Sequence, residues 1–232
     1  MRRLLFILSF FILAPILSSA QVNEHVFWTA IFNTTKLNDK WSLQTDVHFR
    51  TSNEYKNLRS ILVRPILLYN VSKNSSVGLG YALFDVFTHS AAPNTTEHRI
   101  YEQFIQKQNI QAVAITHRIR VEQRFTERPG TSELFTQRFR YYIRALIPLA
   151  KQKETTFNKG MYTAIQDELF FHMQINDQVN SSLFDQNRLG ASIGYRFSPK
   201  FDMEFSYTSQ HIKRISSTVS NSIAQLGVYT RF

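Results

Sequence analysis

The sequence predicts an all-β chain, a single antiparallel transmembrane β-barrel of the outer membrane with about ten to twelve strands and a polar, charged lumen. Three observations predict it. Most of the chain beyond residue 20 alternates polar and apolar residues with a period of two, which sorts them onto opposite faces of a strand and would scatter them around a helix. The alternating runs are about ten to fourteen residues long, where strands of soluble proteins average five or six and about ten residues cross a bilayer at a tilt. Aromatic residues gather near the ends of the apolar faces (Trp41, Tyr69, Phe125, Phe139, Tyr141, Phe171, Phe197, Phe201, Tyr207), as interfacial girdles do. No later run is long enough for a membrane helix, so only a closed barrel could span lipid.

Residues 1–20, MRRLLFILSFFILAPILSSA, set two arginines before an apolar run and end on Ser18-Ser19-Ala20. This pattern predicts a secretory signal peptide cleaved before Gln21, leaving 21–232 as the barrel. The absence of cysteine excludes disulfides, thiolate metal sites and a lipid-bearing N-terminal cysteine. The whole chain carries a net charge of +10, and loss of Arg2 and Arg3 leaves about +8. In an exported chain whose arginines sit at strand spacing rather than in basic clusters, this charge does not predict nucleic-acid binding. Anionic lipid or polyanionic sugar is the kind of contact such a charge suits.

Taken in order, Glu24 to Asn33 is the first strand-like run. In Trp41 to Thr51, Trp41, Leu43, Thr45, Val47 and Phe49 share one face. Leu58 to Val71 carries Ile61, Val63, Leu67 and Tyr69 on its apolar face, with Pro65 inside the run; proline belongs at edges or bulges, so a bulge is expected there. Ser76 to Thr88 alternates large residues with Gly78, Gly80 and Ala82, leaving room for bulky neighbours. After the central strands come Met161 to His172, where Asp167 breaks the pattern, and Asn187 to Phe197. Ser198-Pro199-Lys200 then turns the chain into the run that begins at Phe201, and Ile223 to Phe232 closes it.

The centre of the chain carries most of the charge. Arg118, Arg120, Glu122 and Arg124 recur at every second position, as do Arg138, Arg140, Tyr142 and Arg144, with a turn at Pro129-Gly130 between them. Glu97, Arg99, Tyr101 and Gln103 repeat the spacing on the preceding run. A tight turn at Ile110-Gln111 would set Glu97 opposite Arg124, Arg99 opposite Glu122, Tyr101 opposite Arg120 and Gln103 opposite Arg118, a register favoured by its two ionic rungs. Carried onward, the pattern places Arg140 between Glu122 and Glu168, Arg188 near Glu168, and Arg196 facing Asp202. All these residues would line the lumen.

Short connections (37–39, 73–75, 110–111, 198–200) alternate with longer ones (52–57, 89–96, 127–132, 176–186, 211–221), and the short ones are expected in the periplasm. The loop 150–159 is an exception. Eleven runs can be counted, against the even numbers of bacterial barrels, and the difficulty sits in residues 21–50. The alternating tail Ala224, Leu226, Val228, Thr230 and Phe232 resembles the C-terminal signal by which the barrel assembly machinery recognises its substrates.

In Phe27-Trp28-Thr29, Lys40-Trp41-Ser42-Leu43, Glu97-His98-Arg99 with Gln103, the Arg-x-Arg pattern of the central hairpin, Asp167-Glu168-Leu169-Phe170, Phe184-Asp185-Gln186-Asn187-Arg188-Leu189 and Gly194-Tyr195-Arg196-Phe197, the chain resembles domain-of-unknown-function family 2490, bacterial outer-membrane barrels common in Bacteroidetes. The resemblance implies a membrane barrel and a location, and carries no established activity.

For function, the sequence offers a lattice of opposite charges on the inward face. Buried ions need partners, so such a lattice can simply fill a narrow barrel. It can also line a narrow path for small anions, with surplus arginines setting selectivity. An enzyme acting on envelope lipids is the rival from another class, and a barrel that binds through its loops is a third. His48, His98, His117, His172 and His211 lie on different runs, and no zinc-binding His-x-x-x-His pair occurs, so catalysis is not expected. A His and a Ser within hydrogen-bonding reach at the outer rim would revive it. No cofactor or metal is expected.

Overall fold

The computed structural model describes residues 22–52, 56–88, 93–149, 157–174 and 179–232; residues 1–20, where a leader is expected, and parts of the loops expected at 52–57, 89–96, 150–159 and 176–186 lie outside them. Among the described residues, eleven strands form one closed barrel: β1 (Val22–Lys36), β2 (Trp41–Thr51), β3 (Leu58–Asn70), β4 (Ser75–Val86), β5 (Thr95–Ile110), β6 (Val113–Thr126), β7 (Leu134–Pro148), β8 (Gly160–His172), β9 (Phe184–Ser198), β10 (Phe201–Lys213) and β11 (Thr218–Arg231). Each strand pairs antiparallel with its neighbours in the chain, except that β1 meets β11 in parallel, Val22 beside Val219 through Thr34 beside Arg231. An odd strand count can close only with one such parallel pair. β1 and β11 therefore both start at the end where the connections 52–57, 87–94, 127–133, 173–183 and 214–217 lie, and Phe232 sits at the end with the turns 37–40, 71–74, 111–112 and 199–200.

The period-two pattern sorts as its sequence suggests. Leu79, Ile193 and Phe205 stand on the outer face with 60%, 49% and 50% of their surface exposed, while Glu122, Arg120 and Arg140 on the inner face expose 4% or less. Outer aromatics form contacts at both ends of the barrel: Trp41 on Tyr69 and Tyr195 on Phe197 on Phe201 at the short-turn end, Phe125 on Phe135 and Phe139 on Phe171 at the other. Tyr141 and Tyr207 depart from that placement and lie mid-strand.

Three expectations need correction. The β5–β6 register is two residues away from the one expected, with Arg99 opposite Arg124, Tyr101 opposite Glu122 and Gln103 opposite Arg120. A shift of two keeps every side chain on its face. The turn is Gln111-Ala112, and Gln111 adopts a φ of 56° without the Gly or Asn that normally advertises such a turn. The second correction is Pro65, which makes no bulge: β3 keeps one register with β4 on both sides of it. The Tyr101 hydroxyl donates to the Pro65 carbonyl at 3.2 Å. Tyr101 reaches it by lying across Gly80, where a Cβ would fall 2.3 Å from the ring, so the bare face of β4 does accommodate a bulky neighbour. Tyr162 lies across Gly194 in the same way, at 2.4 Å. The third correction is the last long loop, which shrinks to residues 214–217 because β10 and β11 continue through it.

The ion-paired lumen as candidate functional site

Every lumen residue singled out in the sequence (Glu97, Arg99, Gln103, Arg118, Arg120, Glu122, Arg124, Arg138, Arg140, Arg144, Glu168, Arg188) lies on the inner face of β5 to β9. The register brings like charges face to face, Arg99 opposite Arg124 and Arg120 opposite Arg140. Carboxylates one row away bridge them. Glu97 accepts from Arg99 at 2.8 and 3.1 Å and from Arg124 at 2.5 and 3.1 Å. Glu122 accepts from Arg138 at 2.9 and 2.6 Å and from Arg140, with Arg120 at 3.7 Å. Arg140 turns its other edge to Glu168 at 3.2 and 2.7 Å, and Arg118 joins Glu168 at 2.9 Å. Arg140 thus lies between Glu122 and Glu168, as the spacing suggests.

The lattice extends past the central strands. Arg138 also reaches Asp185 at 3.0 Å, Arg64 holds Asp46 at 3.1 and 2.6 Å, and Arg144 pairs with Glu204. Asp202 accepts two bonds from Arg196, both 3.0 Å, and two from Arg231, 3.0 and 2.9 Å. Bidentate guanidinium–carboxylate pairing is the geometry in which buried ions recover most of their lost hydration. Asp46, Arg64, Asp185, Glu204 and Arg231 were not singled out as lumen residues. Strand alternation alone would have found Asp46, Arg64, Glu204 and Arg231, which fall at inward positions of their runs; Asp185 sits at a bulge, where Phe170 pairs with Gln186 and Phe171 with Phe184, and strict alternation would have turned it outward.

Arg188 is the exception among the expected lattice members. Although it stands opposite Glu168, its guanidinium lies over Phe170 and beside Trp28, 4.8 and 5.4 Å from the ring centres. Arg50 covers Trp28 at 4.1 Å and Phe84 at 5.3 Å. Aromatic rings and arginines so alternate from β4 through β2 and β1 to β9 and β8. Two chambers meet here. One of about 480 Å³ extends toward the short turns and one of about 420 Å³ toward the long loops, and both are lined by Trp28, Arg50, Arg64, Arg140 and Arg188. The β5–β8 side of this waist is packed: Tyr101, Phe170 and Glu122 are each 1% exposed or less.

The outer face holds a second polar arrangement. On β10 and β11, near the long-loop end, Ser209 Oγ lies 3.3 Å from His211 Nε2 and Ser220 Oγ lies 2.7 Å from His211 Nδ1. On the adjacent strands Asn187 donates to Asp167 at 2.6 Å, which places the pattern-breaking aspartate on the outer face beside a partner. His98 and His117 also face outward, in hydrogen-bonding contact with Tyr81 and Tyr141. Among the described residues no group of three or more His, Asp or Glu is placed to hold a metal ion.

The family model described as "Protein of unknown function (DUF2490)" matches residues 26–221. No curated protein and no solved structure matches the chain.

Proposed function

We propose that this chain, which belongs to the DUF2490 family of proteins of unknown function, is an exported outer-membrane barrel whose charged lumen offers small anionic solutes a narrow path restricted at its waist. The observation that carries this reading is the inversion of the two faces: large apolar side chains stand exposed outside, and the ion-paired residues are buried inside. A water-soluble barrel buries its apolar face. A closed barrel also leaves no unpaired strand edge, the condition for spanning lipid, and strands of 11 to 16 residues are long enough to do so. The leader-like residues 1–20 and the aromatic C-terminal strand ending at Phe232 fit export and handling by the barrel assembly machinery. Arginines outnumber carboxylates on the lumen face, which favours anions over cations.

The test is single-channel recording of the refolded protein in planar bilayers across a salt gradient. Small, anion-biased conductance that changes in Arg140→Ala and Glu122→Ala supports the path. A folded but silent barrel refutes it and leaves the lattice as structural filling.

A second reading, an outer-membrane enzyme acting on envelope lipids, is favoured by Ser209, His211 and Ser220. With the proton on Nδ1 donated to Ser220, His211 Nε2 is free to accept the Ser209 proton, the base–nucleophile relation of hydroxyl-based acyl transfer. Fatty-acid release from phospholipid vesicles that vanishes in Ser209→Ala supports this reading; no release by the folded wild-type protein removes it.

A further inference from the structure

The lumen lattice has two members without counter-ions. Among the described residues, each other arginine on the inner face reaches a carboxylate oxygen within 3.7 Å. Arg50 and Arg188 reach none. Arg50 has aromatic contacts only, and its Nε is buried without a hydrogen-bond partner. Arg188 adds to its aromatic contacts the side-chain amide of Gln210, 3.0 Å from both Nε and Nη2 when that amide turns its oxygen inward. Two residues along β2 from Arg50, on the same face, His48 is 6% exposed and neither of its ring nitrogens has a partner.

An uncompensated guanidinium inside a protein is costly: stripping a buried ion of its partner destabilises strongly, and stacking on aromatic rings recovers only part of that. Two such cations lie against one indole, where two chambers of a size that suits small molecules meet. The planar guanidinium fork matches the paired oxygens of a phosphate or carboxylate. Two uncompensated charges match a dianion better than a monoanion, and His48 supplies an additional donor nearby.

The geometry points to a binding site for a phosphate-type dianion at the waist, held by Arg50 and Arg188 with Trp28 between them and His48 beside them. This site gives a chemical class to the solute of the proposed path. It rests on the lumen reading above, although binding requires no conduction. Free phosphate and a small phosphate ester share the recognised group, and both fit the chambers.

The chain contains two tryptophans, and Trp41 is on the outer face, so Trp41→Phe leaves Trp28 as a reporter inside the site. Inorganic phosphate is titrated into this variant, refolded in detergent, with sodium chloride held at constant ionic strength. A saturable change in Trp28 emission is expected, with affinity falling at least tenfold in Arg188→Gln and Arg50→Gln and unaltered in Lys36→Gln beside the exposed β1–β2 turn. Arg188→Lys, which keeps the charge and loses the fork, should also weaken binding. Glycerol phosphate in place of inorganic phosphate shows whether an esterified or free anion binds more tightly; either supports the site. No saturable, phosphate-specific change in the folded Trp41→Phe protein overturns the proposal, as does undiminished affinity in Arg188→Gln. Should the arginine variants fail to fold, the Trp41→Phe titration against chloride alone decides. A silent barrel in planar bilayers that still binds phosphate would refute the path and leave the site standing.

Discussion

Glu122→Gln tests whether the lumen lattice holds the barrel together. Glu122 is 1% exposed and accepts two hydrogen bonds from Arg138 and one from Arg140, with Arg120 at 3.7 Å. Charged hydrogen bonds contribute roughly 1.5–3 kcal/mol each, so three taken separately suggest a loss near the upper end of single-substitution effects. They do not add in full, because each arginine keeps another acceptor: Asp185 for Arg138, Glu168 for Arg140 and Gln103 for Arg120. What remains is the cost of a buried cluster that gains one uncompensated positive charge, about 3–5 kcal/mol. Equilibrium urea unfolding in detergent, followed by tryptophan emission, should show that loss as a lower midpoint with an unchanged slope. Asp39→Asn is the control. Asp39 pairs with Lys36 at 2.6 Å on the exposed β1–β2 turn, where ion pairs contribute little, and its midpoint should match the wild type. A Glu122→Gln midpoint shifted by less than about 1 kcal/mol would refute the reasoning, since it would mean that the lattice is hydrated and its pairs behave like surface ones.

Two further substitutions examine the packing and the outer face. Gly80→Ala puts a methyl group 2.3 Å from the Tyr101 ring and should cost about 1–3 kcal/mol as overpacking, measured by the same unfolding assay; the cost should fall when Tyr101 is also changed to Leu. Ile193→Arg, at a half-exposed outer position of β9, should destabilise the barrel folded into lipid vesicles by about 2–4 kcal/mol, and much less in a detergent that lets the side chain reach water.

The sequence made the face of most residues easy to read and their rows hard to read; Asp185, turned inward by a bulge, is an exception. Alternation put Arg140 between Glu122 and Glu168 and Arg196 against Asp202, because those relations depend mainly on which face a side chain occupies. The β5–β6 rungs came out two residues off because direct ionic rungs were favoured. The protein instead sets arginines opposite one another and lets Glu97 and Glu122 bridge them. An odd strand number looked anomalous only while antiparallel closure was assumed; the parallel β1–β11 seam accommodates it. The Ser209–His211–Ser220 contacts were hidden because the Ser- and Asn-rich stretch from His211 to Asn221 reads as a loop, and most of it is strand. Arg188 could be assigned to the lumen from its spacing, but nothing local shows that it turns from Glu168 toward Trp28, a residue 160 positions earlier whose nearness depends on barrel closure.

The central claim, that the outer face meets lipid while the charged face encloses the lumen, is tested most directly with the two tryptophans. Trp41 lies on the outer face beside Tyr69, and Trp28 lies inside against Arg50. The single-tryptophan variants Trp28→Phe and Trp41→Phe are folded into vesicles containing brominated lipid, and quenching of the remaining emission is compared. The account predicts strong quenching of Trp41 and little of Trp28. Equal quenching of both, or protection of Trp41, would contradict it.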